Sequence, residues 1–441
     1  PEVITLSEKL SFKGMPIVYI KVTPWRFNSG QLEKLVGGEI KILAHPSPID
    51  KSINFTHPHL LNKKQESLYR NFNEKENYLI IYPNEFTEAA LSLENLHNYE
   101  VKPEYQFNVQ KISIEEILAF TLHDPSNKNI AIREYLHAFN LTTTMDYLTL
   151  LGDEIHIPPI YQNGYPSDDY YSTGVSNAGI YSGWAELITG RIPANTSEEA
   201  NDFIEKNRSY ILNPTIGMWK SKIALVADDM YRHCSIAKKD TNHTANSQYL
   251  YNLLKDMLPV FPYYAIHYNM ESCSYPDLTY DLIQNINNGF GLINYIGHGD
   301  PNTWGEEKIL QKSDLPLLHP NKKKLAIWVA GTCSFGKYYD QNSLMENILI
   351  NNNVAIAVVA STEDVSYVEN EILLNAFYNE ISSYIQNPNN STETRLGTIL
   401  YNAKNSNYKF HLFGDPALPL PFPTVKEGIV SNYPTSISVA T

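Results

Sequence analysis

The stretch Gly291-Leu-Ile-Asn-Tyr-Ile-Gly-His-Gly-Asp300, followed after a polar, loop-like segment by Leu325-Ala-Ile-Trp-Val-Ala-Gly-Thr-Cys-Ser334, decides how this chain is read. Each half starts as a short apolar run with turn signals at its edge, the pattern of a strand buried on both faces of a parallel sheet. Each run ends in one reactive side chain, His298 in the first and Cys333 in the second. Open α/β sheets hold their sites in the crevice outside the carboxyl ends of the strands, so two neighbouring strands would bring these residues together. The expectation is a cysteine nucleophile with a histidine base.

Outward from that stretch the alternation of strand and helix repeats. A series opens at Lys222-Ile-Ala-Leu-Val-Ala-Asp-Asp229 and runs through a helix near 244–257, a strand near 263–268 and a helix near 277–288 to the stretch above. After Cys333 come a helix near 341–351, the strand 354–360, helices near 368–386 and 393–406, and Phe410-His-Leu-Phe-Gly-Asp-Pro-Ala-Leu418. An earlier series has strands at 78–82, 105–109 and 145–153 and helices at 85–98, 113–120 and 128–140. Such alternation implies parallel βαβ units. Between the two series, residues 155–184 read as a long ordered loop or hairpin region of the kind that is often functional, and Thr196-Ser-Glu-Glu199 caps a helix. The fold class is therefore α/β, parallel sheets with flanking helices in two sublobes, 74–215 and 216–423. Residues 1–73, strand-length runs broken by Gly and Pro, read as a small β-rich amino-terminal domain, and 424–441 as a linker or tail.

A chain of 441 residues suits two or three domains, since one core seldom serves more than about 250 to 300 residues. A hydrophobic content of 43% and a charged content of 19% describe a globular protein. The formal net charge of −14 argues against a nucleic-acid partner, which would require a basic patch, and would attract a basic substrate segment. No apolar run reaches the roughly 18 residues of a membrane span, and no signal peptide leads the chain, which starts at Pro1 and reads as a processed or trimmed form. Three cysteines, Cys234, Cys273 and Cys333, make no disulfide framework and leave at least one thiol free. No phosphate-binding glycine loop or zinc-type Cys/His spacing is present, so neither a cofactor nor a catalytic metal is expected. Asp168 with Asp169, and Asp300 with Glu306 and Glu307, offer oxygen ligands for a structural calcium, but without a ligand loop of recognisable spacing they read as solvated acids.

A cysteine attacks as thiolate, and with an ordinary pKa of about 8.5 little of it is ionised near neutrality. An adjacent imidazole takes that proton and returns it to the leaving amine. A buried structural thiol is the commoner fate of cysteine, but Cys333 follows a Gly-Thr turn at a strand end instead of lying inside the apolar run. Gly297 and Gly299 flank His298, permitting close approach of a substrate. The N–H groups of Gly299 and Cys333 are the candidate oxyanion hole. Trp304 would wall a hydrophobic pocket or pack locally. Gly414-Asp-Pro416 reads as a tight structural turn.

These motifs together resemble the gingipain-type cysteine peptidases, which share a caspase-like sheet. The ordered set is Leu150-Leu-Gly-Asp153, Gly190-Arg-Ile-Pro193, Leu225-Val-Ala-Asp-Asp229, Asn294-Tyr-Ile-Gly-His-Gly299, Trp304-Gly305, Gly331-Thr-Cys333, Ala360-Ser-Thr362 and Phe413-Gly-Asp-Pro-Ala-Leu418. The resemblance implies a cysteine endopeptidase in which Cys333 is the nucleophile and His298 the base. Asp229 falls where the arginine-specific members have a glutamate that orients the histidine, and is one methylene shorter; it could otherwise cap or hold a turn. Asp240, in Asp-Thr-Asn-His243, resembles an Asp-x-x-His whose aspartate binds a P1 arginine, although Lys238 or Lys239 could pair it as a solvated acid. The β-rich leader resembles the family branch that acts as the cell-surface signal peptidase or sortase of the Por (type IX) secretion system. That branch implies a secreted or bacterial cell-surface protein, polypeptide substrates bearing carboxyl-terminal signals, and outer-membrane secretion partners. The alternative is a catalytically silent gingipain fold serving as a binding or assembly module.

Overall fold

A computed structural model describes residues 75–422 apart from 139–144, 176–180, 216, 230–241, 320–323, 340–341, 352–353 and 387–394, together with short strands before and after them. The chain divides into two units, of which the larger comprises Lys75–Pro423 with Ser11–Met15. In the smaller unit the strands pair antiparallel: Ile4–Leu6 with Ile20–Val22, Trp25–Asn28 with Gln31–Lys34, and Gly38–Ile40 with Ile437–Val439. The segment read as a linker or tail thus contributes a strand.

One ten-stranded sheet runs through the larger unit. In chain order its strands are β1 (Asn77–Tyr82), β2 (Asn108–Ser113), β3 (Tyr147–Leu151), β4 (Ile188–Ile192), β5 (Ile223–Ala227), β6 (Val260–Tyr264), β7 (Leu292–Ile296), β8 (Ala326–Gly331), β9 (Ala355–Ser361) and β10 (Phe410–Phe413). Their spatial order is β6-β5-β7-β8-β9-β10-β4-β3-β1-β2. Every neighbouring pair is parallel except β9 and β10. The two sublobes are therefore two five-stranded parallel blocks of opposite direction fused edge to edge, and β10, from the end of the second series, belongs to the first block.

The central strands are buried along their whole length, as in β8 and β9, which is why they are legible as unbroken apolar runs. Their side chains alternate between two cores. Ala224, Val226, Ile293, Tyr295, Trp328 and Ala330 enter one, and Ile223, Leu225, Leu292, Ile296, Ile327 and Val329 the other. Strand β2 departs from its expected position at 105–109. It pairs with β1 from Asn77↔Asn108 to Tyr82↔Ser113 at the sheet edge, where exposed Asn108 and Gln110 break its apolar run. Capping boxes start the helices Ile114–Thr121, from Ser113 and Glu116, and Ser197–Leu212, from Thr196 and Glu199.

Buried charge joins the blocks. Asp168 and Asp169, expected to be solvated, are each 1% exposed. Arg191 on β4 donates to Asp168 from Nε at 2.7 Å and Nη2 at 2.6 Å, and Tyr338 Oη donates to the same carboxylate at 3.0 Å. Lys404 Nζ donates to both oxygens of Asp169 at 2.6 and 2.7 Å. Burial opposes the ionised form of Asp168, but the guanidinium overrides it and holds the carboxyl below the usual range.

Asp415, in the turn after β10, is a second hub. It accepts from Tyr78 Oη at 3.0 Å, His97 Nε2 at 2.7 Å, Asn207 Nδ2 at 2.6 Å and the Ala417 N–H at 2.8 Å. Burial alone would raise this carboxyl; the attraction of His97 and these donors pull it down to about 2. A carboxyl lowered on folding contributes stability that is present above its unfolded value of about 3.8 and is lost as pH falls through about 2. We expect Asp415→Asn to cost about 2 kcal/mol near neutrality and to flatten the acid limb of a chemical-denaturation series between pH 4 and 2. An unchanged acid limb would rule out Asp415 as its source.

Candidate active site

The site is built at the carboxyl ends of three adjacent strands. Register pairs Ala227 of β5 with Ile296 of β7, and Ile296 with Gly331 of β8. The ladder continues one step further, with Asp228 N–H donating to Ile296 O at 3.0 Å and Gly297 N–H to Gly331 O at 3.3 Å. Asp229, His298 and Cys333 each lie two residues beyond that common row. Neighbouring strands are about 4.8 Å apart, so His298 and Cys333 follow the ends of adjacent strands at the same level.

Cys333 is half-buried and packs against the core that contains Ile327 and Val329. Its thiol donates to Val365 O at 3.3 Å. It is a free cysteine, whereas Cys273 is disulfide-bonded. The next residue, Ser334, has φ of +52° and is held there by its N–H on Glu363 O at 3.1 Å and its hydroxyl on Asp364 at 3.0 Å. A left-handed non-glycine residue is strained unless its surroundings enforce it, and here it turns the chain away directly after the thiol.

The main chain of His298 is clamped on both sides. Its N–H donates to Asp228 Oδ2 at 3.1 Å, and its carbonyl accepts from the Tyr295 hydroxyl and from Gly305 N–H at 2.8 Å. Gly297 is needed for this clamp. A Cβ there would lie 2.4 Å from the Asp228 Cβ and 2.4 Å from the Tyr295 hydroxyl. Gly299 is equally tight, since a Cβ would lie 2.6 Å from Thr332 Oγ1. The imidazole of His243, 4% exposed at the start of the helix Asn242–Leu254, stands edge-on to that of His298 at 5.4 Å, and Tyr367 packs against His243 at 5.6 Å. Sequence reasoning quoted His243 within a motif without giving it a place in the site.

Asp228 accepts from the His298 N–H at 3.1 Å and from the Asp229 N–H at 2.8 Å, a backbone role that the sequence did not assign to it. Asp229 accepts from the Tyr275 hydroxyl at 2.7 Å. Oxygen atoms of Asp228, Asp229 and Glu307 lie within 4.8 Å of one another. Burial raises the Asp228 carboxyl to about 7, with the Asp229 charge adding to it against the two backbone N–H groups. Burial raises Glu307 to about 7 as well, reinforced by Asp228 and Asp229. Glu307, read as a solvated acid, is therefore wholly enclosed, while Asp300 and Glu306 are exposed. Asp240, expected in a P1 pocket, lies outside the described residues.

Trp304, read as a pocket wall or a locally packed residue, is packed in the core: it is 1% exposed and stacks on Tyr295 at 4.4 Å with the rings 3° from parallel. It anchors a three-stranded strap, Gly299–Asp300, Thr303–Trp304 and Leu310–Gln311, which runs from His298 back over the sheet end. Among the described residues no helix is long and apolar enough to cross a membrane.

Comparison with known proteins agrees with this architecture. The chain is similar to the crystal structure of the Arg-specific cysteine proteinase gingipain R, with a TM-score of 0.62 and 17% identity over 80% of this chain and 79% of that one. It is similar to the complex of Porphyromonas gingivalis RgpB pro- and mature domains, with a TM-score of 0.59 and 16% identity over 78% of this chain and 79% of that one. In sequence it is 26% identical to gingipain R2 of Porphyromonas gingivalis over 164 residues, 36% of this chain and 20% of that protein. The sequence match thus spans about a fifth of the curated relative. The family model for peptidase family C25 matches residues 72–421, which include every strand of the ten-stranded sheet, so the chain belongs to peptidase family C25.

Proposed function

We propose that the protein is a cysteine endopeptidase in which Cys333 and His298 form the catalytic dyad. The observation that carries this reading is the common register of β7 and β8, with a histidine and a free thiol each two residues past the pair Ile296↔Gly331. His298 takes the Cys333 proton, and the thiolate attacks the scissile carbonyl carbon. A C–S bond forms, and the carbonyl π pair moves to oxygen. The Gly299 and Cys333 N–H groups would hold that oxyanion. When the tetrahedral centre collapses, the C–N bond breaks and the imidazolium protonates the leaving amine, leaving an acyl-enzyme. Water or another amine then attacks the same carbonyl, so hydrolysis and transpeptidation share every step up to that point. Asp229, third in the row, is assigned as the acid that supports the charged imidazole. Asp228 positions the base through its backbone.

The substrate is proposed to be a polypeptide cut after a basic residue, by Asp240 acting as the P1 anion and in keeping with the net charge of −14. A related structure is described as Arg-specific, which supports this preference. The likeness of the β leader extends the reading to processing of carboxyl-terminal signals on secreted proteins at a bacterial surface.

Three outcomes test this reading. An acyloxymethyl ketone or iodoacetamide should modify Cys333 selectively, and His298→Ala should slow that reaction roughly 100-fold or more. Slow labelling indifferent to His298 would favour a silent binding module instead. Gly297→Ala should lower kcat by about 100-fold, because the added methyl displaces the base, and an unchanged kcat would rule out the clamp as what positions it. Fluorogenic peptides with P1 Arg or Lys should be cleaved at least about 10-fold faster than neutral counterparts, and Asp240→Asn should abolish that preference; a neutral preference in the parent protein would sink the basic pocket.

A further inference from the structure

The long segment 155–184 holds a hairpin that the peptidase chemistry leaves unused. Its strands, Ile160–Gln162 and Tyr165–Ser167, pair antiparallel around Asn163 and Gly164, whose φ of +55° and +84° make a tight two-residue turn. Beside it opens a cavity of about 530 Å³, within the range of about 300 to 1,000 Å³ usual for ligand pockets. Ile130, Arg133 and His137 line it from the helix Lys128–Ala138, Ile160 and Tyr161 from the hairpin, and Tyr181 from the strand Tyr181–Ala185.

These walls select an apolar guest. Arg133 already donates to Tyr170 O and, at 2.7 Å, to Thr173 O, and His137 Nε2 donates to Tyr171 O at 3.1 Å. With both cations engaged by this chain's own carbonyls, what the cavity offers is aliphatic and aromatic surface. Tyr161 and Ile130 are 52% and 48% exposed, so apolar area on two sides of it is left to water. The aromatic wall is preformed. The Arg133 guanidinium lies 4.7 Å over the Tyr181 ring, which stacks on Tyr170 at 4.9 Å. The Gln162 amide bonds both the carbonyl of Tyr181, at 3.1 Å, and its N–H.

The hairpin is continuous with the active site. Tyr161 packs edge-on against Tyr339 at 6.5 Å, and the Tyr339 hydroxyl meets Thr362 O at 3.1 Å and the Glu363 carboxylate. Glu363 O in turn accepts the N–H of Ser334, the residue after Cys333. A second tie runs through Tyr165, whose ring lies 5.8 Å from Lys409 Nζ. That ammonium donates to Asp364 O at 2.9 Å, and the Asp364 carboxylate accepts from the Ser334 hydroxyl. We infer that the cavity is a remote subsite, which takes a large apolar or aromatic side chain of the same extended polypeptide that lies across Cys333. The contacts from Cys333 to Tyr161 pass through Ser334, Glu363 and Tyr339, a span that a chain extended at about 3.3 Å per residue covers in roughly six residues. The inference rests on the peptidase reading, because it takes the guest to be that enzyme's substrate.

Binding tests it without turnover. On the full chain carrying Cys333→Ala, fluorescence anisotropy gives the Kd of fluorescein-tagged Ser/Gly/Ala peptides with one central Arg, as a single Phe is moved outward on either side. Phe at one position about four to eight residues from the Arg should tighten binding at least about 10-fold over the Phe-free peptide, as expected for burying one aromatic side chain. Tyr161→Ala and Ile130→Asp should each abolish that gain, and Tyr99→Ala, on an exposed tyrosine that does not line the cavity, should keep it. If one cavity variant does not fold, the other decides. With Cys333 restored, the same Phe should lower KM and leave kcat nearly unchanged. Absence of a Phe-dependent gain, a gain equal at every position, or one that survives the cavity variants overturns the subsite. Iodoacetamide labelling of Cys333, with and without His298→Ala, reads the dyad separately, so failure of the subsite and failure of the peptidase reading give different results.

Discussion

The site depends on one constraint, the shared register of β5, β7 and β8. All three strands are buried on both faces, and a slip of one residue would exchange every side chain between the two cores. Ile223, Leu225, Leu292, Ile296, Ile327 and Val329 cannot trade places with Ala224, Val226, Ile293, Tyr295, Trp328 and Ala330 without cavities on one side and overpacking on the other. The core therefore fixes the level at which Asp229, His298 and Cys333 leave the sheet, two residues past a common row.

Beyond that row the site is held by backbone more than by side chain. His298 is pinned through its own N–H and carbonyl, and the pinning is possible because Gly297 lets Asp228 and Tyr295 approach to distances no Cβ would tolerate. On the partner strand, left-handed Ser334 turns the chain away at the thiol. In the proposed mechanism, groups fixed in this way lose little entropy when a substrate arrives, which is what orientation contributes to catalysis.

Buried charge is handled in two contrasting ways. In the first block Asp168, Asp169 and Asp415 are each met by donors from distant parts of the chain, and their burial is tolerated because they are paired. At the end of β5 three acids face one another, and burial pushes the carboxyls of two of them, Asp228 and Glu307, up to about 7. The same fold thus neutralises its acids in the first block and crowds them where Asp228 holds the His298 backbone.

Some of this was legible without coordinates. Parallel strands buried on both faces leave unbroken apolar runs, so β1, β3, β5, β7, β8 and β9 could be read directly, and with them the strand-end placement of His298 and Cys333. Edge strand β2 was misplaced because its exposed polar residues interrupt the run. Local pattern could not reveal that Asp168 and Asp169 are ion-paired, that Gly-Asp-Pro at 414–416 holds a hub for Tyr78, His97 and Asn207, or that Trp304 is core. These contacts join residues from nine to 337 positions apart, and which of them meet is decided by the fold and not by a local pattern. By itself the sequence determined the strands and the reactive residues at their ends, because burial and turn chemistry are local signals. Only the tertiary structure decided which acid grips His298 and which acids share a buried cluster, because those contacts exist only once the strap has folded back over the sheet.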